Sequence, residues 1–340
     1  MRRLRILIWH IHGSYLNAIT RADHDWYLPV KPGHPEGYRG WGDTFNRPPG
    51  IHDVPAERVR ELELDLVIFQ TARNYLEDQY EILSPLQRRL PRIYLEHNVP
   101  RPHGSDTRHP VDDPSVLLVH VTHYNQLMWD NGDIPTAVIE HSVAIDPGIR
   151  YDGELDRGIT VINGMQKRPR IAGYDLFLQA RQEVPLDIAG MQTEDFGGLG
   201  DIPYRDLHRH VARYRFLFSP MRYTSLPLAV IEAMTIGMPV VALATTELPT
   251  VIEDGYSGHV SCRFDYLIER MQFLLRNPGV ARQMGANARE VALRRFGLNR
   301  FVRDWNAAFE RAIELARAGH RTDEAPLETS GSPELARSGQ

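Results

Sequence analysis

Short runs of Val, Ile and Leu recur in the first part of the chain, at 4–9, 64–70, 92–97, 115–122 and 136–141. They are continuously apolar and do not alternate, as strands covered on both faces of a parallel sheet require. Segments with helical spacing at 55–62 and 124–132 lie between some of them. Strand, helix, strand repetition predicts a doubly wound α/β domain over 1–150. The stretch 146–158 is rich in glycine and charge and reads as a linker, after which the pattern restarts. New strands are expected at 159–164, 186–191, 214–220 and 239–244, with helices at 174–183, 204–212, 228–234 and 264–277. The chain is thus expected to form a second doubly wound domain over 151–318, with any ligand in the cleft at the carboxyl ends of the strands. Two helices, over 279–296 and 298–318, close the pattern, and the last is expected to pack back toward the first domain. Residues 319–340 turn to Ser, Gly, Pro and acids and read as a disordered tail, since they cannot bury enough surface to offset their ordering entropy.

Composition narrows the function classes. A length of 340 residues is too great for one small core, and 42% hydrophobic with 24% charged residues is ordinary for a globular chain. The net charge of -5 argues against nucleic acid as a partner and favours a small ligand. Cys262 is the single cysteine, which excludes an intrachain disulfide and a cysteine zinc site and suits a reducing cytoplasm. The apolar run Leu4–Trp9 follows a basic head but is broken by His10 and His12, so it reads as a first strand and not as a secretory signal. No apolar segment approaches the roughly 20 residues of a spanning helix, which limits any membrane contact to a peripheral one.

The stretch TSLPLAVIEAMTIGMPVV, 224–241, carries the sharpest chemistry. Ser225 suits an N-cap and Pro227 a first turn, so the spacing predicts a helix from Leu226 to about Ile236, ended by Gly237. The helix is apolar all round and therefore buried, yet Glu232 sits in its middle. A helix start is a natural anion seat, and Glu232 lies two turns further along nearly the same face. A ligand with a diphosphate at the helix start and a vicinal diol beside Glu232, the shape of a nucleoside diphosphate, would satisfy both. The alternative is that Glu232 pairs with an Arg or caps a loop.

The block TSLPLAVIEAMTIGMPVVALATTELPTVIEDGYSGHV, 224–260, resembles the donor site of retaining GT-B glycosyltransferases that share a Glu-x7-Glu motif, the group 1 or family 4-like glycosyl transferases. Glu232, Ala233 and Met234 match the helix, Gly237, Pro239, Val240 and Val241 the strand entry, and Asp254, Gly255 and Gly258 the turn beyond. The resemblance implies two Rossmann-like domains facing across a cleft, and assigns the donor ribose to Glu232. The first motif Glu falls on Thr224, and the acid of a later Pro-Glu pair falls on Thr250. In the family a paired Arg and Lys neutralise the donor diphosphate; their places hold Met165 and Ala172, which leaves Lys167, Arg168 and Arg170 as substitutes. Gly164 and Gly190 match the glycines closing two strands of the donor domain, and Gly13 the glycine of the first strand's loop. Ser225 and Leu226 fall in the turn that meets the phosphates. His97, directly after a strand, takes the place of a histidine near the anomeric carbon, and Ser142 stands where a glycine is usual.

His10, His12, His103 and His109 with Asp106, Asp112 and Asp113 fit no metal-ligand spacing, and no metal or cofactor is expected. Residues 22–43 read as a long loop on the acceptor side, which makes Trp26, Tyr27, Tyr38 and Trp41 candidate acceptor contacts or else packing of the loop on its own domain. The expected function is transfer of a sugar, hexosyl or related, from a nucleotide-diphosphate sugar to an acceptor that is a glycan, a lipid-linked compound or a small molecule, with retention. The alternative is a non-catalytic GT-B protein that binds a nucleotide or glycan or serves as a partner subunit.

Overall fold

The computed structural model describes residues 2–323, with the side chains of 319–323 left aside. Seven strands form the first sheet: β1 (Arg5–Ile8), β2 (Asp25–Val30), β3 (Ile51–Pro55), β4 (Leu66–Phe69), β5 (Arg92–Glu96), β6 (Val116–His120) and β7 (Thr136–Val138). All are parallel, in the order β3-β2-β1-β4-β5-β6-β7, and Ile6, Leu7 and Ile8 of β1 pair with Leu66, Val67 and Ile68 of β4. Five strands form the second sheet: β8 (Leu155–Val161), β9 (Leu186–Ala189), β10 (Tyr214–Ser219), β11 (Val240–Leu243) and β12 (Gly258–Ser261). These too are parallel, in the order β12-β11-β10-β8-β9. The strand order reverses between β1 and β4 in one sheet and between β8 and β10 in the other, and the carboxyl ends at such points are where open α/β sheets form crevices.

Both faces of each sheet are covered, which is why the strands read as unbroken apolar runs. In the first sheet Ile6, Ile8, Leu66 and Ile68 point toward the helices Gly13–Ile19 and Leu298–Asp323, whereas Leu7, Trp9, Val67 and Phe69 pack with Val59, Tyr75 and Ile82 on the opposite side. In the second, Leu217 and Val240 meet the helices Leu228–Ile236 and Pro278–Arg295, while Phe216, Phe218 and Val241 meet Tyr174–Glu183 and Phe264–Arg276.

Five expectations are corrected. The stretch 22–43 is not one long loop, because β2 lies inside it as an interior strand between β1 and β3. The stretch 146–158 is not wholly linker, since β8 begins at Leu155. Residues 55–62 form a 3-10 turn over Ala56–Glu61 and no α-helix. The last helix packs on the first domain as expected, so residues 298–318 share a core with Leu16, Ile19 and Trp26 of that domain and not with the donor domain to which sequence order assigned them. That helix runs on to Asp323, five residues into the segment read as a disordered tail; residues 324–340 lie outside the described residues.

Candidate nucleotide-sugar site

The helix carrying Glu232 spans Leu228–Ile236, starting two residues later than its sequence suggested, and Gly237 ends it in the left-handed conformation with φ 99°. The expected cap at Ser225 is corrected: Pro227 occupies the capping position, and the Ser225 hydroxyl turns away to donate to the His97 carbonyl and to accept from Asn125 Nδ2 at 3.0 Å. A residue of the second domain is thereby tied to the loop after β5 of the first. Tyr223 adds a bond from its hydroxyl to the Pro100 carbonyl at 3.0 Å, and Glu247 accepts from the Tyr124 amide at 2.8 Å. The two domains are therefore joined by direct hydrogen bonds along one seam, and His97 and Ser225, 128 residues apart in the chain, meet there.

Glu232 is only 7% exposed. Its Oε1 accepts from the Tyr204 hydroxyl at 3.0 Å, and the His208 imidazole stands 3.5 Å from the same oxygen. Among the described residues no Arg or Lys pairs with it and no hydrogen bond reaches Oε2. Tyr204 and His208 lie one turn apart on the helix Tyr204–Val211, so both rings face Glu232, at 4.7 Å from each other. Burial and the adjacent Glu232 charge raise the Tyr204 phenol far above its ordinary range, so it is a neutral donor. Nothing in the local sequence set Tyr204 apart, since one aromatic at a helix start is commonplace.

At the carboxyl end of β8, Gly164 takes φ 55° and opens a turn over Met165–Lys167. Beyond β9, Gly190 takes φ 140° where a Cβ would stand 2.3 Å from the Ile162 carbonyl oxygen, so only glycine fits. Met165 and Ala172 are fully buried, as their apolar side chains require. Lys167 and Arg168 are exposed and make no ion pair among the described residues. Arg170 is exposed, and its guanidinium holds Asp175 at 2.9 Å, which Arg222 also grips at 2.6 Å, so two cations share one carboxylate. Thr224 is half-buried with no hydrogen bond from the described residues, and Leu226 is buried in the core of the second domain.

On the facing side, His97 Nε2 lies 2.9 Å from Gln70 Oε1. Gln70 donates its own amide to the Trp9 carbonyl, which fixes the oxygen toward His97 and the imidazole proton on Nε2. Nδ1 is left as an acceptor without a hydrogen-bond partner among the described residues. Burial first, then the neighbouring His12 and His141, hold His97 well below its usual range. The His12 and His97 rings meet edge to face at 4.4 Å, and Tyr15 touches both His97 and His141. Gly13 opens the helix beneath them, where a Cβ would approach the rings of His10 and Phe45 at 3.4 and 3.3 Å. Gln70 and Phe45 carried no signal in the sequence.

This cluster makes stability acid-sensitive. Burial pushes His141 down to about 3, against an ordinary value near 6.5 in the unfolded chain. Between those values the unfolded chain binds a proton the fold refuses, so the stabilisation is complete above pH 6.5 and is lost as pH falls. His141 should contribute about 1.4 kcal/mol per pH unit in that window. Urea midpoints measured from pH 7.5 to 5 should fall accordingly, and His141→Asn should flatten the slope; a slope unchanged by that substitution assigns it to other groups.

The acceptor contacts expected at 26–41 are corrected. Trp26, Tyr38 and Trp41 are fully buried: Trp26 packs against Phe309 of the last helix, Tyr38 lies beneath Lys31, and Trp41 donates to the Phe45 carbonyl at 3.0 Å. Tyr27 is half-buried in mid-strand, stacked on His52 at 4.9 Å, away from the carboxyl ends. Alternation along β2 sends Trp26 into the core and Tyr27 over the other face, while Tyr38 and Trp41 fold back from the segment after the strand. His109, weighed as a ligand, is buried against Glu96 at 3.2 Å, and no group of three or more His, Cys, Asp or Glu among the described residues is placed to hold a metal ion. No described helix is long and apolar enough to cross a membrane.

A family model described as glycosyl transferases group 1 matches residues 191–291, which include Tyr204, Thr224 and Glu232. No curated protein matches the sequence. Among solved structures, sucrose-phosphate synthase from Thermosynechococcus elongatus is similar with a TM-score of 0.67 at 14% identity, over 92% of this chain and 100% of that one. Anabaena Alr3699/HepE in complex with UDP and glucose gives 0.64 at 13% identity over 91% and 100%. A glycosyltransferase from Rickettsia africae gives 0.62 at 11% identity over 92% and 100%. These likenesses establish the fold as GT-B.

Proposed function

We propose that the protein transfers a glycosyl group from a nucleotide-diphosphate sugar to an acceptor hydroxyl, with retention of configuration. The observation that carries this reading is Glu232: a buried carboxylate with no Arg or Lys partner among the described residues, one oxygen held by Tyr204 and the other without a hydrogen bond among them, one turn inside a helix that starts at the seam between the domains. A stable protein seldom keeps such a charge unless something pairs with it. A ribose diol on Oε2 would do so, through charge-assisted hydrogen bonds.

The remaining groups follow from charge. Pro227 lacks an amide hydrogen, so the amides of Leu228 and Ala229 are the first that the helix start offers to a phosphate oxygen. Lys167 and Arg168 are the cations available to share the diphosphate charge. In the reaction the bond from the anomeric carbon to the diphosphate oxygen breaks, its electron pair leaving with the nucleotide. The acceptor oxygen forms the new bond on the same face and loses its proton to the departing phosphate. Donors that meet the growing phosphate charge would make the largest catalytic contribution. Neutral His97, with Nδ1 bare, accepts a sugar hydroxyl, and Thr224 offers a second, uncharged contact. The closed seam keeps water from an activated sugar.

A second reading is favoured by one observation: Thr224 stands where the resemblance to the Glu-x7-Glu glycosyltransferases implies an acid. It describes a nucleotide-binding protein without turnover. Calorimetric titration with UDP, GDP and ADP, followed by assay of nucleotide release from their sugars with candidate acceptors, separates the two. Binding with release supports transfer, binding without release over a wide acceptor set supports the second reading, and no binding of any nucleotide rejects both.

A further inference from the structure

The donor domain does not build its pocket alone. A cavity of about 410 Å³ is lined by Gly190, Ile202 and Tyr204 of the second domain and by Asp43 and Thr44 of the first. The next residue, Phe45, sets its ring edge to face against Tyr204 at 4.8 Å. Phe45 is itself held firmly. Its carbonyl accepts from Trp41 Nε1, the Trp41 amide donates to Asp53 at 2.7 Å, and Gly13 leaves the room its ring needs. A contact therefore runs from the first domain through Phe45 to Tyr204 and on to Oε1 of Glu232 at 3.0 Å.

We propose that Tyr204 is a positioning residue of the donor site, fixing the Glu232 carboxylate so that Oε2 meets the ribose, and that Phe45 couples this orientation to closure of the domains. The inference rests on the donor-site reading above. Two features distinguish the arrangement from a tyrosine that merely fills the site. The phenol is neutral and occupies one oxygen only, and Glu232 has no other hydrogen-bond donor among the described residues, His208 standing at 3.5 Å. A carboxylate offers about four acceptor positions, so a ribose diol and the phenol can be accommodated together.

The test uses the full chain and titrates UDP and GDP separately. Tyr204→Phe, which keeps the ring against Phe45, should weaken the nucleotide that binds by about tenfold, the loss of one charge-assisted hydrogen bond. Because the ribose is held equally in ground and transition states, the donor KM should rise while kcat stays within about twofold. In a Glu232→Gln background the same change should add little, and Phe45→Ala should act in the same direction as Tyr204→Phe without adding to it. Unchanged or tighter binding by Tyr204→Phe overturns the inference, because the phenol would then be blocking the carboxylate; so does a full additional loss on top of Glu232→Gln. In either case the donor site stands if the parent protein binds nucleotide. A parent that binds neither UDP nor GDP removes the donor site, and this inference with it.

Discussion

Glu232→Gln is expected to weaken nucleotide binding by about 1 to 3 kcal/mol, roughly ten- to a hundredfold, without loss of the fold. The substitution keeps the shape of the side chain and removes its charge. A hydrogen bond to a charged group is worth about 1.5 to 3 kcal/mol and a neutral one about 0.5 to 1.5, so a diol resting on the carboxylate loses part of each of its bonds. The fold should not suffer in the same way. Glu232 is buried and answers to no Arg or Lys, so its charge is a burden on the folded chain in the absence of ligand. The melting temperature without nucleotide should stay level or rise, and nucleotide should raise the melting temperature of the parent more than that of the variant. If affinity is unchanged and the melting temperature falls, Glu232 is a structural residue and the ribose assignment fails.

The parts of this site that were legible in the sequence are those where local chemistry conflicts with its surroundings. A carboxylate in an apolar helix, glycines at strand ends and a histidine just past a strand each stand out without knowledge of the fold, and Glu232, Gly164, Gly190 and His97 do lie beside the strand ends at which the domains meet. The twelve strands were partly legible for the same reason, as continuously apolar runs. Residues that act by contact across the chain left no trace. Tyr204 matters because Glu232 is within reach of its hydroxyl, Gln70 because it fixes the proton of His97, and Phe45 because the folded 40–47 segment carries it to the other domain. Ser225 shows the limit of local rules: it is a good capping residue by type, but a carbonyl 128 residues distant takes its hydroxyl. The aromatic residues of 22–43 misled in the opposite sense. With β2 unrecognised, Trp26 and Tyr27 on that strand and Tyr38 and Trp41 packed after it resembled a display of binding groups.

The last helix gives the largest expected effect on stability. Trp305→Ala should cost about 3 to 5 kcal/mol, the usual toll for removing a large aromatic side chain from a packed core. Trp305 is fully buried among Tyr15, Phe301 and Phe309, and its indole donates to the Tyr15 hydroxyl at 3.2 Å. The substitution would therefore leave both a cavity and a phenol that loses its donor. The helix reaches Trp305 only after the chain has completed the second domain, yet the core it fills belongs to Leu16, Ile19 and Trp26 of the first. The first domain is thus incomplete until nearly the whole chain has been made, and a fragment ending at residue 297 should not fold its first domain independently. Tyr15 also touches His97 and His141, so loosening Trp305 should reach the site as well as the core. Thermal and urea unfolding of Trp305→Ala, followed by tryptophan-independent circular dichroism, measures the first effect, and the midpoint should fall by about 2 to 4 °C per kcal/mol. A loss below about 1 kcal/mol would mean that the helix only rests on the first domain, and the site would then owe its rigidity to the seam bonds of Ser225, Tyr223 and Glu247 alone.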